Sequence, residues 1–586
     1  MNRRTVIRSA TGVAALATFG VAEGTAGTAF AATSSSGSSS GSSSSTSSAY
    51  SLELDPTAWS YDSTNDVYYQ IGKVYVANPA ATDYENLSIY VPGAYLTATA
   101  NSDGTTYTAK ADPKGTVGQY SGRTAPIVIP VNTPGYAQQA PATSYSYTSV
   151  SQYLEAGLVY VWPGLRGRDS STSTRSDAAP WGVTDLKAAV RFLRYNRSVL
   201  PGSTDDIVLF GMSGGGAQDT VAGTSGDSPL FHPYLRTIGA AMEDAQGRPL
   251  SDAVAGVMAW CPITDLAEAN LSYEWNMGQF ASTSTRASGT WTSAYSADLA
   301  KAWPKYLNRL GLRDAHGRRL ELTESGNGTY LSGSYYDHLI GVITTSLNNF
   351  LSDNTFPYTI TTQGGPPGSG QTGTSTTYET VADYIAHLNT DSTWVTYDAT
   401  TNTATVSGLE GFVTSQKTPN KPVGAFDGYS RGQGENSVFA MGLNVPSHFA
   451  PLTRDVIKAN ETTYATYSDW DSAYGSSAYD SDFAKKDSVG KDMAWRGDAY
   501  NPLYFLSPAF GGYRRSQVAR HWRIRTGIMQ GDTANTTEIN VQLALLNYGI
   551  RDVDFATVWA EGHTMAERTG DSTTNFISWV ESVVRK

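Results

Sequence analysis

A chain of 586 residues with one cysteine and a formal net charge of −12 cannot form an internal disulfide or a cysteine-rich metal site. Its acidity argues against nucleic acid or an anionic membrane as partner. Charged residues make up only 16% of the chain, below the usual ~25%, and the abundance of Ser, Thr, Gly and Tyr suits an extracellular surface.

The chain opens on Arg3-Arg4, followed by a weakly apolar stretch from Ser9 to Ala22 and the small-x-small site Ala29-Phe30-Ala31. The stretch is too short to span a bilayer. Residues 1–31 are expected to be an export signal of the twin-arginine type. An ordinary secretory signal with incidental arginines is the alternative, and both place the mature chain outside the cytoplasm. Ser34 to Ser48 holds only Ser, Gly and Thr, so 32–49 reads as a flexible linker with nothing to bury. No later apolar run approaches the ~18 residues of a spanning helix, so no integral membrane span is expected.

Short apolar runs follow at Ile127–Val131, Leu158–Trp162, Ile207–Phe210 and Val254–Trp260, each bounded by turn residues as strands are. Between the second and third, Leu186, Ala189, Val190 and Leu193 recur at helical spacing and predict an amphipathic helix over Asp185–Tyr195. Strands alternating with helices predict an α/β fold with a mostly parallel sheet covered on both faces. The rhythm then breaks. From about 270 to 502 the chain is rich in Tyr, Ser, Thr and Gly, with a loop expected at Gly364–Thr377. It resumes with a strand at Trp522–Met529, a helix near Thr537–Leu546, a strand at Val553–Trp559 and a helix near Phe576–Val584. The expected organisation is a hydrolase core at 50–269 and 503–586, with a lid inserted at 270–502. Cys261 closes an apolar run and reads as a buried structural thiol.

The chemistry concentrates in Gly211-Met212-Ser213-Gly214-Gly215, a G-x-S-x-G with a strand before it and a small-residue helix start after it. That context is the nucleophile elbow of an α/β-hydrolase, and it makes Ser213 the candidate nucleophile. The Gly214 N–H is one candidate oxyanion donor. The second should come from the loop after Ile127–Val131, where Pro134 has no N–H and leaves Thr133 or Gly135. His563 follows the last strand, where this fold carries its base. The other six histidines (His232, His316, His338, His387, His448 and His521) lack that placement and read as surface or satisfied core residues. None pairs at metal-ligand spacing, so no metal and no cofactor are expected. Asp532 is the only carboxylate at the end of the preceding strand. It is the candidate acid, although capping the following helix is an equally physical role, with Thr533 a rival cap.

With these residues in order, the chain resembles the bacterial (subtype B) tannases. The resemblance runs through Leu87–Pro92, Gly164-Leu165-Arg166-Gly167-Arg168, Asp185–Arg191, Gly211–Gly216, Cys261-Pro262-Ile263-Thr264, Tyr273-Glu274-Trp275 and His521–Arg525. It implies a serine esterase that cleaves galloyl esters beneath a lid. It also implies that Lys421, Glu435 and Asp532 hold the galloyl hydroxyls, whose phenols can donate to carboxylates and accept from an ammonium. One departure stands out. The family carries Asp-x-Asp where this chain has Gln530-Gly531-Asp532. A strict match gives Gln530 the acid position as a substitute and leaves Asp532 the substrate contact; a shifted loop lets Asp532 serve His563. The second is the expectation, because otherwise the Ser/His pair lacks its anion.

The functional expectation is therefore a secreted serine esterase acting through an acyl-enzyme on a small aromatic ester, with the tyrosine-rich insertion shaping the acyl pocket. A feruloyl or general carboxylesterase, an exopeptidase on the same fold, or a weakened hydrolase serving as a binding module are the alternatives.

Overall fold

Nine strands form one sheet in this computed structural model, which describes residues 49–170, 178–326, 328–361, 373–442 and 445–584. The strands are β1 (Ser60–Asp62), β2 (Val67–Val74), β3 (Asn86–Pro92), β4 (Pro126–Val131), β5 (Val159–Pro163), β6 (Ser203–Met212), β7 (Gly256–Trp260), β8 (His521–Gly527) and β9 (Asp552–Val558). Their order across the sheet is β1-β2-β3-β5-β4-β6-β7-β8-β9. From β5 to β9 every pairing is parallel. The first three strands are antiparallel to their neighbours, an edge the apolar runs do not announce.

The central strands read as unbroken apolar runs because both faces are covered; β4 and β7 are buried at every residue. The covering helices include α1 (Tyr147–Glu155), α2 (Trp181–Tyr195), α3 (Gly214–Thr224), α7 (Asn535–Tyr548) and α8 (Ser572–Val583). Between β7 and β8 lie α4 (Ala269–Asn276), α5 (Trp291–Leu310), α6 (Ser334–Asp353), further short helices and two small hairpins. One hairpin pairs Tyr358–Thr361 with Ser375–Tyr378, so the end of the expected Gly364–Thr377 loop is strand; residues 362–372, like the expected signal and residues 32–48 of the linker, lie outside the described residues. Among those described, no helix is long and apolar enough to cross a membrane.

Helix α2 differs from the one-faced helix its periodicity predicts. It is buried on all sides from Trp181 to Leu193, because its polar face carries paired charges. Asp185 accepts two hydrogen bonds from the guanidinium of Arg166, at 2.9 and 2.5 Å. Lys187 and Arg191 both donate to Asp252 at 2.8 Å. Removing one partner of such a buried pair costs about 3–5 kcal/mol, since the other is left unpaired away from water. These pairs tie the segment after β5, α2 and the entry to β7 into one block behind the elbow.

The inserted segment has an aromatic core of its own. Trp291 packs against Tyr295, Tyr429, Tyr464, Trp470 and Tyr474, with centroids 4.8–5.8 Å apart. Four of its tyrosines, Tyr295, Tyr429, Tyr464 and Tyr474, thus pack within the insertion itself.

Candidate active site

Ser213 stands between β6 and α3 with φ 61° and ψ −124°, a strained conformation for a residue with a side chain. Its N–H donates to Trp260 O at 2.9 Å, anchoring the turn to β7. The flanking glycines are steric necessities. A Cβ on Gly211 would lie 2.5 Å from Val131 O, and one on Gly215 only 2.0 Å from the same oxygen. The elbow can therefore press against the end of β4, and the loop after β4 presses back: a Cβ on Gly214 would lie 2.4 Å from Tyr136 N. Thr133 in that loop is buried and its hydroxyl donates to Gln218 at 3.1 Å. Gly135 is exposed with φ 56°. Both candidate donors thus belong to a loop in contact with Gly214.

His563 lies in the loop after β9, its Nε2 at 2.8 Å from Ser213 Oγ. Its Nδ1 meets Gln530 Oε1 at 2.7 Å. Asp532 Oδ2 is 3.5 Å from the same nitrogen. The expectation that Asp532 makes the direct contact is corrected: the amide holds the ring, and the carboxylate stands beside it at ion-pair distance. The reason lies in how Gln530 is anchored. Its Nε2 donates to Thr526 Oγ1 at 2.9 Å and to Glu538 Oε1 at 2.6 Å, which aims Oε1 at the imidazole. Neither Asp532 nor Thr533 caps α7, whose N-cap is Ala534 with no side-chain bond.

Burial lowers the His563 pKa from the ordinary imidazole value; Asp532 opposes the shift, and Lys421 and Lys417 add to it. The ring is held neutral near pH 7, as a general base must be.

The insertion delivers the remaining expected residues. Lys421 Nζ donates to Glu435 Oε1 at 2.8 Å and sits 4.0 Å from the centroid of Phe426. Its backbone N–H donates to the Tyr273 hydroxyl at 3.0 Å, and that hydroxyl donates to Gly531 O at 2.6 Å. Gly531 also lies close against the segment before Lys421: a Cβ there would lie 2.5 Å from Thr418 O. Lys421 and the Gln530–Asp532 loop are thereby stitched together.

Three contributors escape a reading of spacing alone. Tyr273 is the stitch just described. Lys417 is wholly buried and its ammonium donates to Gln530 O and, at 2.7 Å, to Thr533 O. Glu538 is wholly buried in the first turn of α7. For Lys417 and Glu538 the available signal was a lone charge among uncharged neighbours, which does not say which way a side chain faces. Among the other histidines, His448 is buried against Asp427 at 2.7 Å and His521 contacts Asp552. Cys261 is a buried free thiol. Among the described residues no group of three or more His, Cys, Asp or Glu could hold a metal ion.

The chain is similar to several known proteins. Residues 117–304 match the BD-FAE family model. The tannase of Fusobacterium nucleatum is 25% identical, with 92% of this chain and 100% of that one covered at a TM-score of 0.65. The native tannin acyl hydrolase of Lactobacillus plantarum is 26% identical over 89% of this chain and 94% of that one, at 0.62. A tannin acyl hydrolase in complex with 3,4-dihydroxybenzoate is 25% identical over 91% and 99%, at 0.65. No curated protein matches in sequence. The chain has the tannase-like fold of an esterase.

Proposed function

We propose that this tannase-like chain is an exported serine esterase that hydrolyses phenolic acid esters, galloyl esters foremost, through an acyl-enzyme. The observation that carries the reading is the hydrogen bond of 2.8 Å between Ser213 Oγ and His563 Nε2 on a strained elbow. Ser213 Oγ attacks the ester carbonyl while His563 Nε2 takes its proton. The oxyanion is held by the N–H of Gly214 and one from the Thr133–Gly135 loop. Collapse releases the alcohol, which receives the proton from His563. Water then attacks the acyl-serine by the same steps in reverse, releasing the acid and restoring Ser213.

Specificity for ring hydroxyls is supported by the Lys421–Glu435 pair and by Asp532, whose buried Oδ1 has no protein partner among the described residues. Carboxylates accept from phenol hydroxyls and the ammonium donates to them. Solved relatives hold 3,4-dihydroxybenzoate and ethyl gallate, both with adjacent ring hydroxyls. The BD-FAE match favours feruloyl esters as the second reading. Rates on methyl gallate, methyl ferulate, p-nitrophenyl acetate and a peptide anilide separate these. Methyl gallate should be the best of the four; preference for the anilide would overturn the esterase reading, and preference for ferulate would move the substrate class.

A further inference from the structure

An amide in contact with the catalytic imidazole raises a question of direction. Gln530 presents an acceptor and a donor of nearly equal shape. If it turned Nε2 toward His563, the Nδ1 facing it would have to be the bare nitrogen, and the proton would sit on the Nε2 facing Ser213. A base protonated there cannot take the serine proton, and enforcing the wrong tautomer is a severe fault in such a triad. Something must fix the amide.

We infer that Glu538 is a positioning residue for the reaction proposed above: its buried carboxylate takes the Nε2–H of Gln530, which leaves only Oε1 for His563 and fixes the tautomer whose bare Nε2 faces Ser213. The contacts run in one line: Ser213 Oγ to His563 Nε2 at 2.8 Å, His563 Nδ1 to Gln530 Oε1 at 2.7 Å, and Gln530 Nε2 to Glu538 Oε1 at 2.6 Å. Whenever Glu538 is ionised it can only accept, and Oε1, which receives both Gln530 Nε2 and Thr526 Oγ1, then dictates the polarity of every bond upstream. Thr526 is also turned by it, donating its hydroxyl to Glu538 Oε1 at 3.1 Å. Lys417 holds the other end of Gln530 by donating to its backbone carbonyl. When ionised, Glu538 thus adds negative charge behind the acid position, and imidazolium forming at His563 is stabilised through a polarised amide as well as by Asp532.

The groups facing Glu538 come from several elements. Thr526 and Gln530 donate from the end of β8, and Lys417 lies after the 409–416 helix. Asp532 and Cys261 flank the same cluster through charge and sulfur. Tyr335 of α6 donates to Asn540, one half-turn along α7. Burial outweighs Lys417 and the hydrogen bonds from Thr526 and Gln530, and the Glu538 carboxyl is pushed up to about 7.

The test compares Glu538→Gln with a swapped pair, Gln530→Glu together with Glu538→Gln, which exchanges carboxylate and amide along the line. The readouts are the nitrogen-15 shifts of the His563 ring, which report its tautomer, and the rate of Ser213 labelling by a fluorophosphonate. Glu538→Gln should mix the tautomers and slow labelling by about tenfold or more. The swapped pair should return both to the wild-type pattern, because an acceptor-only group again faces Nδ1. A purely structural glutamate predicts no tautomer change and no rescue. Unchanged tautomer and rate in Glu538→Gln, or a folded swapped pair that stays slow, overturns the proposal. Should Glu538→Gln fail to fold, Glu538→Asp takes its place with the same readouts, its carboxylate drawn back from Gln530 Nε2, and an unchanged tautomer and rate there overturns the proposal. A wild-type chain that labels at Ser213 but hydrolyses no ester removes the esterase reading and leaves this test standing, since neither readout needs a substrate.

Discussion

The two flanks of the Ser213–His563 pair are built on different physics. On the serine side, Gly211 and Gly215 stand where a methyl group would strike Val131 O, and Ser213 is held in a strained turn by strands and a helix that cannot move apart. The histidine side is close-packed too, since a Cβ on Gly527 would lie 1.8 Å from Gly562 O, but there the ring is oriented by polar groups: Gln530, Thr526, Glu538 and Lys417, all buried, with the half-buried Asp532 beside them. The first flank tolerates almost no change of shape. The second tolerates a change of chemistry, an amide in place of a carboxylate, provided that donors and acceptors still alternate.

The contrast can be broken first at its centre. Ser213→Ala should lower kcat on p-nitrophenyl acetate by roughly 10⁴-fold or more with folding intact. A smaller loss would mean that another nucleophile serves. Next, Gly215→Ala should destabilise the chain by about 3 kcal/mol, read as a lower urea midpoint, because the new methyl would lie 2.0 Å from Val131 O. An unchanged midpoint would show that the elbow is less rigid than its contacts. On the other flank, Lys421→Met should raise KM for methyl gallate by about tenfold and leave p-nitrophenyl acetate unaffected. Equal losses on both substrates would place Lys421 in the catalytic machinery instead. The smallest effect is expected at Asp532→Asn. Asp532 favours imidazolium at His563, so its neutralisation should move the acid limb of kcat/KM further down the pH scale. An upward shift would contradict that sign.

The same contrast explains what the sequence made legible. Ser213 and its glycines were readable because a steric requirement admits only one residue type, and His563 because the fold places its base after the last strand. The direct partner was not. Gln530 carries no charge to draw attention, and whether it or Asp532 meets the ring depends on anchors at Thr526 and Glu538 that only tertiary structure brings together. Helix α2 shows the same limit: Leu186, Ala189, Val190 and Leu193 gave its axis and inner face, while burial of Asp185, Lys187 and Arg191 depended on Arg166 and Asp252. Strands β1 and β2 of the antiparallel edge stayed hidden because their burial is incomplete and their side chains mix tyrosine with polar residues.

One consequence of the architecture concerns time rather than chemistry. Strands β7 and β8 are adjacent and in register, yet Met258 and the Arg523 opposite it are 265 positions apart. Closing so long a loop adds little to the equilibrium cost, since each doubling of length costs only about 0.6 kcal/mol. The kinetic demand is heavier, because pairing that depends on distant segments is slow to nucleate. The Trp291 cluster gives the intervening residues a core to collapse around first. Until it does, β7 presents an unpaired apolar edge, and crowded refolding should lose chains to aggregation at that stage rather than at the assembly of the first half of the sheet.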